Sequence, residues 1–286
     1  MARNPIVAGQ FYSADPDELE QQIRDSFMHE QGPGRMPEYS RKGRIKAVIS
    51  PHAGYMFSGP GAAWSFLEIA ESELADVYIV VGPNHSGMGS SSLSSEGYKT
   101  PLGIIKTDKD MCGLITKETG LADSSQAHKN EHSVEVQMPF LQFACRDRID
   151  RLKIVPVVLG HDTEPAKLGR QMKRAVQKSG KKVVFIISSD MTHFGWSYGY
   201  VPFKEDIREN LYKMDRETLA LVEESRQQDF DKRLDRLGAT VCGRQPISML
   251  MNAVDADEIK LLHYYTSGDI LRDYSSAVGY ASVVFK

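Results

Sequence analysis

The residues best suited to chemistry in this sequence stand where apolar runs stop. Ala47-Val48-Ile49-Ser50 leads into Pro51-His52-Ala53-Gly54-Tyr55, and Val77-Tyr78-Ile79-Val80-Val81 leads into Gly82-Pro83-Asn84-His85-Ser86-Gly87. Val183-Val184-Phe185-Ile186-Ile187 leads into Ser188-Ser189-Asp190-Met191-Thr192-His193. Short runs rich in β-branched residues predict strands buried on both faces, and the C-terminal ends of such strands are where α/β sheets place their sites. Read singly, His52 and His85 are loop histidines and Asp190 is a helix cap. Their coincidence at three strand ends predicts one shared site. Converging imidazoles and a carboxylate suit Zn, Fe or Cu, and two histidines, one anionic ligand and open positions suit oxygen chemistry at Fe(II). A histidine outside the metal shell can act as a base near neutral pH. His193 is assigned that role, with Asp190 three residues earlier to orient or assist it.

Cys242 is the third element, in Thr240-Val241-Cys242-Gly243-Arg244-Gln245-Pro246-Ile247. A helix predicted to begin just after it would lower the thiol pKa and favour thiolate. Cys112 and Cys145 fall on apolar helical faces and read as structural. A competing motif is His128-Lys129-Asn130-Glu131-His132, which matches the H-x-x-E-H pattern of zinc peptidases. On a continuous helix the two histidines would share a face and hold Zn, with Glu131 as base. The polar stretch before it and Ser133 after it do not make a clear amphipathic helix. The preferred expectation is that His132 faces the site and His128 is exposed. His29, His161 and His263 have no partner pattern.

Strands alternating with helices predict one α/β domain over residues 1–286. Helices are expected from Pro16 to about Glu30 behind the cap Asp15, from Ala62 to Ala70, from Lys109 to Thr119 up to Gly120, from Val134 to Cys145 with an interruption near Pro139, and from Pro165 to Lys178. Residues 204–238 are helical in period, and Gly243 to Met251 holds a shorter helix. Leu152 to Leu159, Ile259 to Tyr265 and Ser276 to Phe285 read as further strands, and Ser86 to Ser95 as a loop with a short hairpin strand. The net charge of −3 over 286 residues gives no basic footprint for nucleic acid. No apolar run reaches the length of a membrane span, and the start lacks the apolar core of a signal peptide. Three scattered cysteines fit a reducing cytoplasm.

These motifs together resemble the Memo family, whose fold is similar to that of class III extradiol dioxygenases. The resemblance runs through Pro5 to Tyr12, Ser50 to Tyr55, Gly82 to His85, Glu131-His132-Ser133-Val134-Glu135, Ser188 to His193, Cys242 to Ile247 and Val278-Gly279-Tyr280-Ala281. It implies a single α/β domain with a central mixed sheet flanked by helices, and one pocket. It also implies that His52, His85 and Cys242 are metal positions, with Asp190 and His193 beside them as the catalytic side; His132 is expected to contact the substrate. Fe(II) is the expected metal, with Cu or Zn as the other candidates. The related dioxygenases use glutamate as third ligand where Cys242 stands here, which argues against simple catechol-ring cleavage. The expected activity is that of an iron-binding oxidoreductase on a small-molecule substrate. The alternative is a binding module that uses the same pocket, with Arg244 nearby, to hold a phosphopeptide or another anion. Microbial members suggest radical-SAM or AMMECR-type protein partners.

Overall fold

The computed structural model describes residues 2–286. Its strands are β1 Ala2–Arg3, β2 Ala47–Ser50, β3 Val77–Pro83, β4 Ser92–Leu93, β5 Gly97–Thr100, β6 Gly103–Thr107, β7 Ala122–Asp123, β8 Lys153–Leu159, β9 Val183–Ser188, β10 His193–Gly195, β11 Ile259–Thr266 and β12 Ser276–Phe285. The helices are α1 Pro16–Met28, α2 Tyr55–Glu71, α3 Lys109–Thr119, α4 Gln137–Ala144, α5 Pro165–Ser179, α6 Ile207–Glu223, α7 Gln227–Leu237, α8 Arg244–Ala253 and α9 Ser267–Leu271.

The strands form one mixed sheet in the order β1-β5-β6-β8-β3-β9-β2-β12-β10, with β11 also paired to β12. Its centre is parallel: β8, β3, β9 and β2 run side by side in the same direction. β12 returns antiparallel beside β2. Side chains alternate across this centre. Val48, Val80, Ile154 and Ile186 enter one core with α1, α2 and α4. Ile49, Ile79, Val81, Val155, Phe185 and Ile187 enter the other, beneath α3, α5 and α8. Burial on both faces is why these strands read as unbroken apolar runs. The architecture is the expected α/β layer arrangement, with helices flanking a mixed sheet as in extradiol-dioxygenase-like folds.

Several local expectations are corrected. α2 starts at Tyr55 rather than Ala62 and carries Pro60 inside it. A Cβ on Gly59 would lie 2.4 Å from Ser26 Oγ, and one on Gly61 would lie 3.1 Å from Pro51 Cγ, so the glycines let this helix press against α1 and the end of β2. Pro139 sits in the first turn of α4, where proline needs no amide hydrogen, and it begins the helix rather than interrupting it. β4 is not part of a hairpin; it pairs parallel to β7 and antiparallel to β8. The hairpin of this region is β5–β6, closed by Pro101-Leu102.

The candidate metal centre

Because β3, β9 and β2 are parallel neighbours, their C-terminal loops open side by side. They deliver His85, Asp190 with His193, and His52 to one cavity of about 570 Å³. His132 and Phe11 enter the same cavity from the other side, with Phe57, Tyr198, Val278 and Tyr280 completing the wall. The imidazoles of His52, His85 and His132 form a cluster with ring centroids 4.9–5.8 Å apart. His85 and His132 lie nearly parallel, at 13°.

The hydrogen bonds fix where the protons sit. The buried Ser188 hydroxyl donates to the carbonyl of Ser133 at 2.6 Å and accepts from Gln137 Nε2 at 2.9 Å. Its only proton is committed, so the 2.8 Å contact with His52 Nδ1 has the ring as donor. Neutral His52 therefore carries its lone pair on Nε2, which faces Cys242 Sγ at 3.2 Å. Burial, then the neighbouring His85 and His132, hold the His52 pKa well below the usual value and keep the ring neutral.

Glu131 does the same for His85. Its carboxylate accepts from the backbone amides of His85 at 2.5 Å, Ser86 at 3.2 Å and Ser133 at 2.8 Å. Its Oε1 also lies 3.1 Å from His85 Nδ1. Burial alone would raise the Glu131 pKa; the His85 hydrogen bond and charge, then the Ser133 amide and His132, pull it down to about 2. An ionised carboxylate can only accept, so His85 holds a proton on Nδ1, and Nε2 is the nitrogen left to face a metal. His193 Nδ1 faces two carbonyls, Met191 at 3.1 Å and Thr240 at 3.0 Å. It too must donate there and leave Nε2 bare.

The side chains of His52, His85 and Cys242 each offer a ligand atom within 4.8 Å of the others. His85, Glu131 and His132 meet the same distance test. Glu131, however, has a fully buried side chain whose oxygens are engaged by three amides and His85, so it orients a ligand rather than acting as one. Two imidazoles with exposed lone pairs and one thiol suit Fe, Zn or Cu, so the residues present fit a transition metal.

Five readings are corrected by this geometry. The Cys242 thiol is not acidified by α8. Burial, then the nearby Asp190, push its pKa well above the usual value. Asp190 does not orient His193: its Oδ1 accepts the His52 backbone amide at 2.8 Å, and the two carbonyls hold His193. His128 is buried rather than exposed, held between Tyr98 Oη and the Ser92 carbonyl. His128 and His132 lie in turns and irregular backbone rather than on a continuous helix, so the zinc-peptidase geometry is not formed. Arg244 turns away to Asp231 and Asp235 and is not an anion partner for the pocket. Cys112 and Cys145 are buried, as expected of structural cysteines. Sequence reasoning missed the roles of Ser188, Gln137, Phe11 and Tyr280. Ser188 carried a signal in its place at a strand end, and Phe11 and Tyr280 in the motifs that contain them; Gln137 carried none.

Comparison with known proteins agrees with the motifs. The model of the family described as Memo-like protein matches residues 3–284. A MEMO1 family protein of Methanopyrus kandleri is 35% identical, over 100% of this chain and 99% of its own. Those of Methanothermobacter thermautotrophicus and Thermococcus kodakarensis are each 38% identical, the first covering 98% of this chain and 99% of its own, the second 100% of both. Among solved structures, an uncharacterized protein of Escherichia coli K12 superimposes with a TM-score of 0.52 at 11% identity, over 85% of this chain and 100% of that one. That likeness concerns the fold alone.

Proposed function

The chain belongs to the Memo family, and we propose that it is an iron-dependent oxidoreductase acting on a small hydroxylated aromatic substrate. The observation that carries the reading is the proton inventory: His52 and His85 both hold Nδ1 protons and turn Nε2 toward a site shared with the Cys242 thiol, beside an aromatic cavity. These three residues would hold the metal. Iron bound there supplies a redox couple and coordination positions that the protein leaves open. The chain's own residues do the rest. His193, with Nε2 bare, accepts the proton of the substrate hydroxyl. His132, packed at a tilt of 60° against Phe11 with centroids 4.9 Å apart, contacts the substrate from the opposite wall. Phe11, Phe57, Val278 and Tyr280 pack on the ring and displace water.

The test is iron content after anaerobic reconstitution, with oxygen uptake measured on a panel of phenols. One iron per chain is expected, lost in a folded His52→Ala, Cys242→Ser double variant. Full iron retention by that variant would overturn the reading.

A further inference from the structure

The charges that line the cavity bear on which substrates can enter. The only ionisable groups at its wall among the described residues, besides four histidines and two tyrosines, belong to Asp190; no lysine or arginine lines it. Arg272 follows the lining residue Leu271 but is exposed and does not line the cavity. Asp190 is 3% exposed. Its Oδ1 is taken by the His52 amide, while Oδ2 has no hydrogen-bond donor and stands 4.0 Å from His52 Nε2. Asp190 lines the cavity, so a ligand there can supply to Oδ2 the donor that the protein does not.

We propose that the pocket selects neutral or cationic hydroxylated aromatics, whose O–H or N–H serves Asp190 Oδ2, and rejects those carrying a carboxylate or phosphate. This rests on the iron reading above for where the hydroxyls are placed. Nothing on the wall replaces the bidentate guanidinium that usually recognises carboxylate.

The test uses three ligands of matched shape: 4-methylcatechol, 3,4-dihydroxybenzoate and 3,4-dihydroxybenzylamine. Each is titrated calorimetrically into anaerobic protein whose iron content has been measured. The benzoate is expected to bind at least about tenfold more weakly than either of the others, the scale of one like-charge contact in a partly shielded cleft. A Leu271→Arg variant places a guanidinium at a lining position that is 56% exposed in the wild type, and should close that gap to within about threefold. Ser276→Lys supplies a second position for the same gain. Iron-loaded protein that binds the benzoate as well as or better than 4-methylcatechol overturns the proposal. Failure to load iron refutes the function reading instead, which separates the two outcomes.

Discussion

Glu131→Gln isolates the contribution of one buried carboxylate. The Glu131 pKa falls from an ordinary 4.5 to about 2 in the folded chain. At about 1.4 kcal/mol per pH unit, its ionised form contributes about 3 kcal/mol at neutral pH. A depressed carboxyl pKa gives stability that is present above 4.5 and is lost as pH falls towards 2. Linkage places about 2 kcal/mol of that loss between pH 7 and pH 3. Glutamine keeps one acceptor oxygen but puts an NH₂ against amide and imidazole donors. At least two charge-assisted bonds go, at a cost of about 3–6 kcal/mol at pH 7. His85 also loses the partner that fixes its proton on Nδ1, so metal affinity should fall about 10–100-fold. Urea unfolding of both proteins at pH 7 and pH 3 measures the first effect, and Zn competition against a chromophoric chelator measures the second. The stability gap between the two proteins should shrink by about 2 kcal/mol at pH 3. An equal gap at both pH values, with unchanged Zn affinity, would refute both the ionised state and the orienting role.

Three further outcomes follow from the same geometry. The Cys242 thiol, held protonated by burial and Asp190, should release about one proton when Zn binds at pH 7, read from binding enthalpies in buffers of different ionisation heat; Cys242→Ser should release none. Asp215 has its pKa raised from 3.8 to about 6 by burial, although Thr192 and Tyr264 donate to it. Its stabilising protonated form is lost as pH rises from 3.8 through about 6, so wild type should lose about 2 kcal/mol relative to Asp215→Asn between pH 4 and pH 7, measured by urea unfolding. Gly243→Ala puts a Cβ 2.2 Å from Ser189 Cβ and should cost at least about 1–3 kcal/mol, whereas Gly113→Ala, with nothing within 4 Å, should gain about 1 kcal/mol; thermal unfolding of the pair separates crowding from helix propensity.

The parallel centre of the sheet was legible because strands buried on both faces cannot hide their composition: Val77–Val81 and Val183–Ile187 are apolar without a break. Convergence of His52, His85, Asp190 and His193 followed from the topology of such strands. The hairpin Gly97–Thr107 was missed because Pro101-Leu102 is not one of the turn pairs that announce a hairpin, and Gly103, at φ 118°, bears the strain alone. The start of α2 was misplaced because Pro60 reads as a boundary, although the helix runs through it. The Cys242 pKa was read from its helix alone, and burial beside Asp190 reverses it. Glu131 read as a base only within the competing H-x-x-E-H motif, whose i and i+4 spacing counts only on a helix, and this segment is not one.

That irregular segment couples the two sides of the pocket. Glu131 and Glu135 are four residues apart, and both carboxylates are buried. Glu131 faces the strand ends and secures His85 with Ser86. Glu135 faces the other way. It accepts from the amides of Ile6 and Val7, from Tyr12 Oη at 2.8 Å and from Arg3 at 2.5 Å. Arg3 then donates back to the carbonyls of His128 and Glu131, both at 2.7 Å. The N-terminal arm that carries Phe11 is thereby tied to the segment that carries His132, and Phe11 packs on His132 at the cavity wall. A helix here would have used its own carbonyls and amides for i to i+4 bonds. By staying irregular, residues 128–135 leave those groups free to bind the arm on one side and the β3 loop on the other. The H-x-x-E-H pattern is thus explained by backbone capture rather than by a metal-binding helix face: its glutamate and first histidine are consumed by amides, carbonyls and a tyrosine, and only His132 remains to face the pocket.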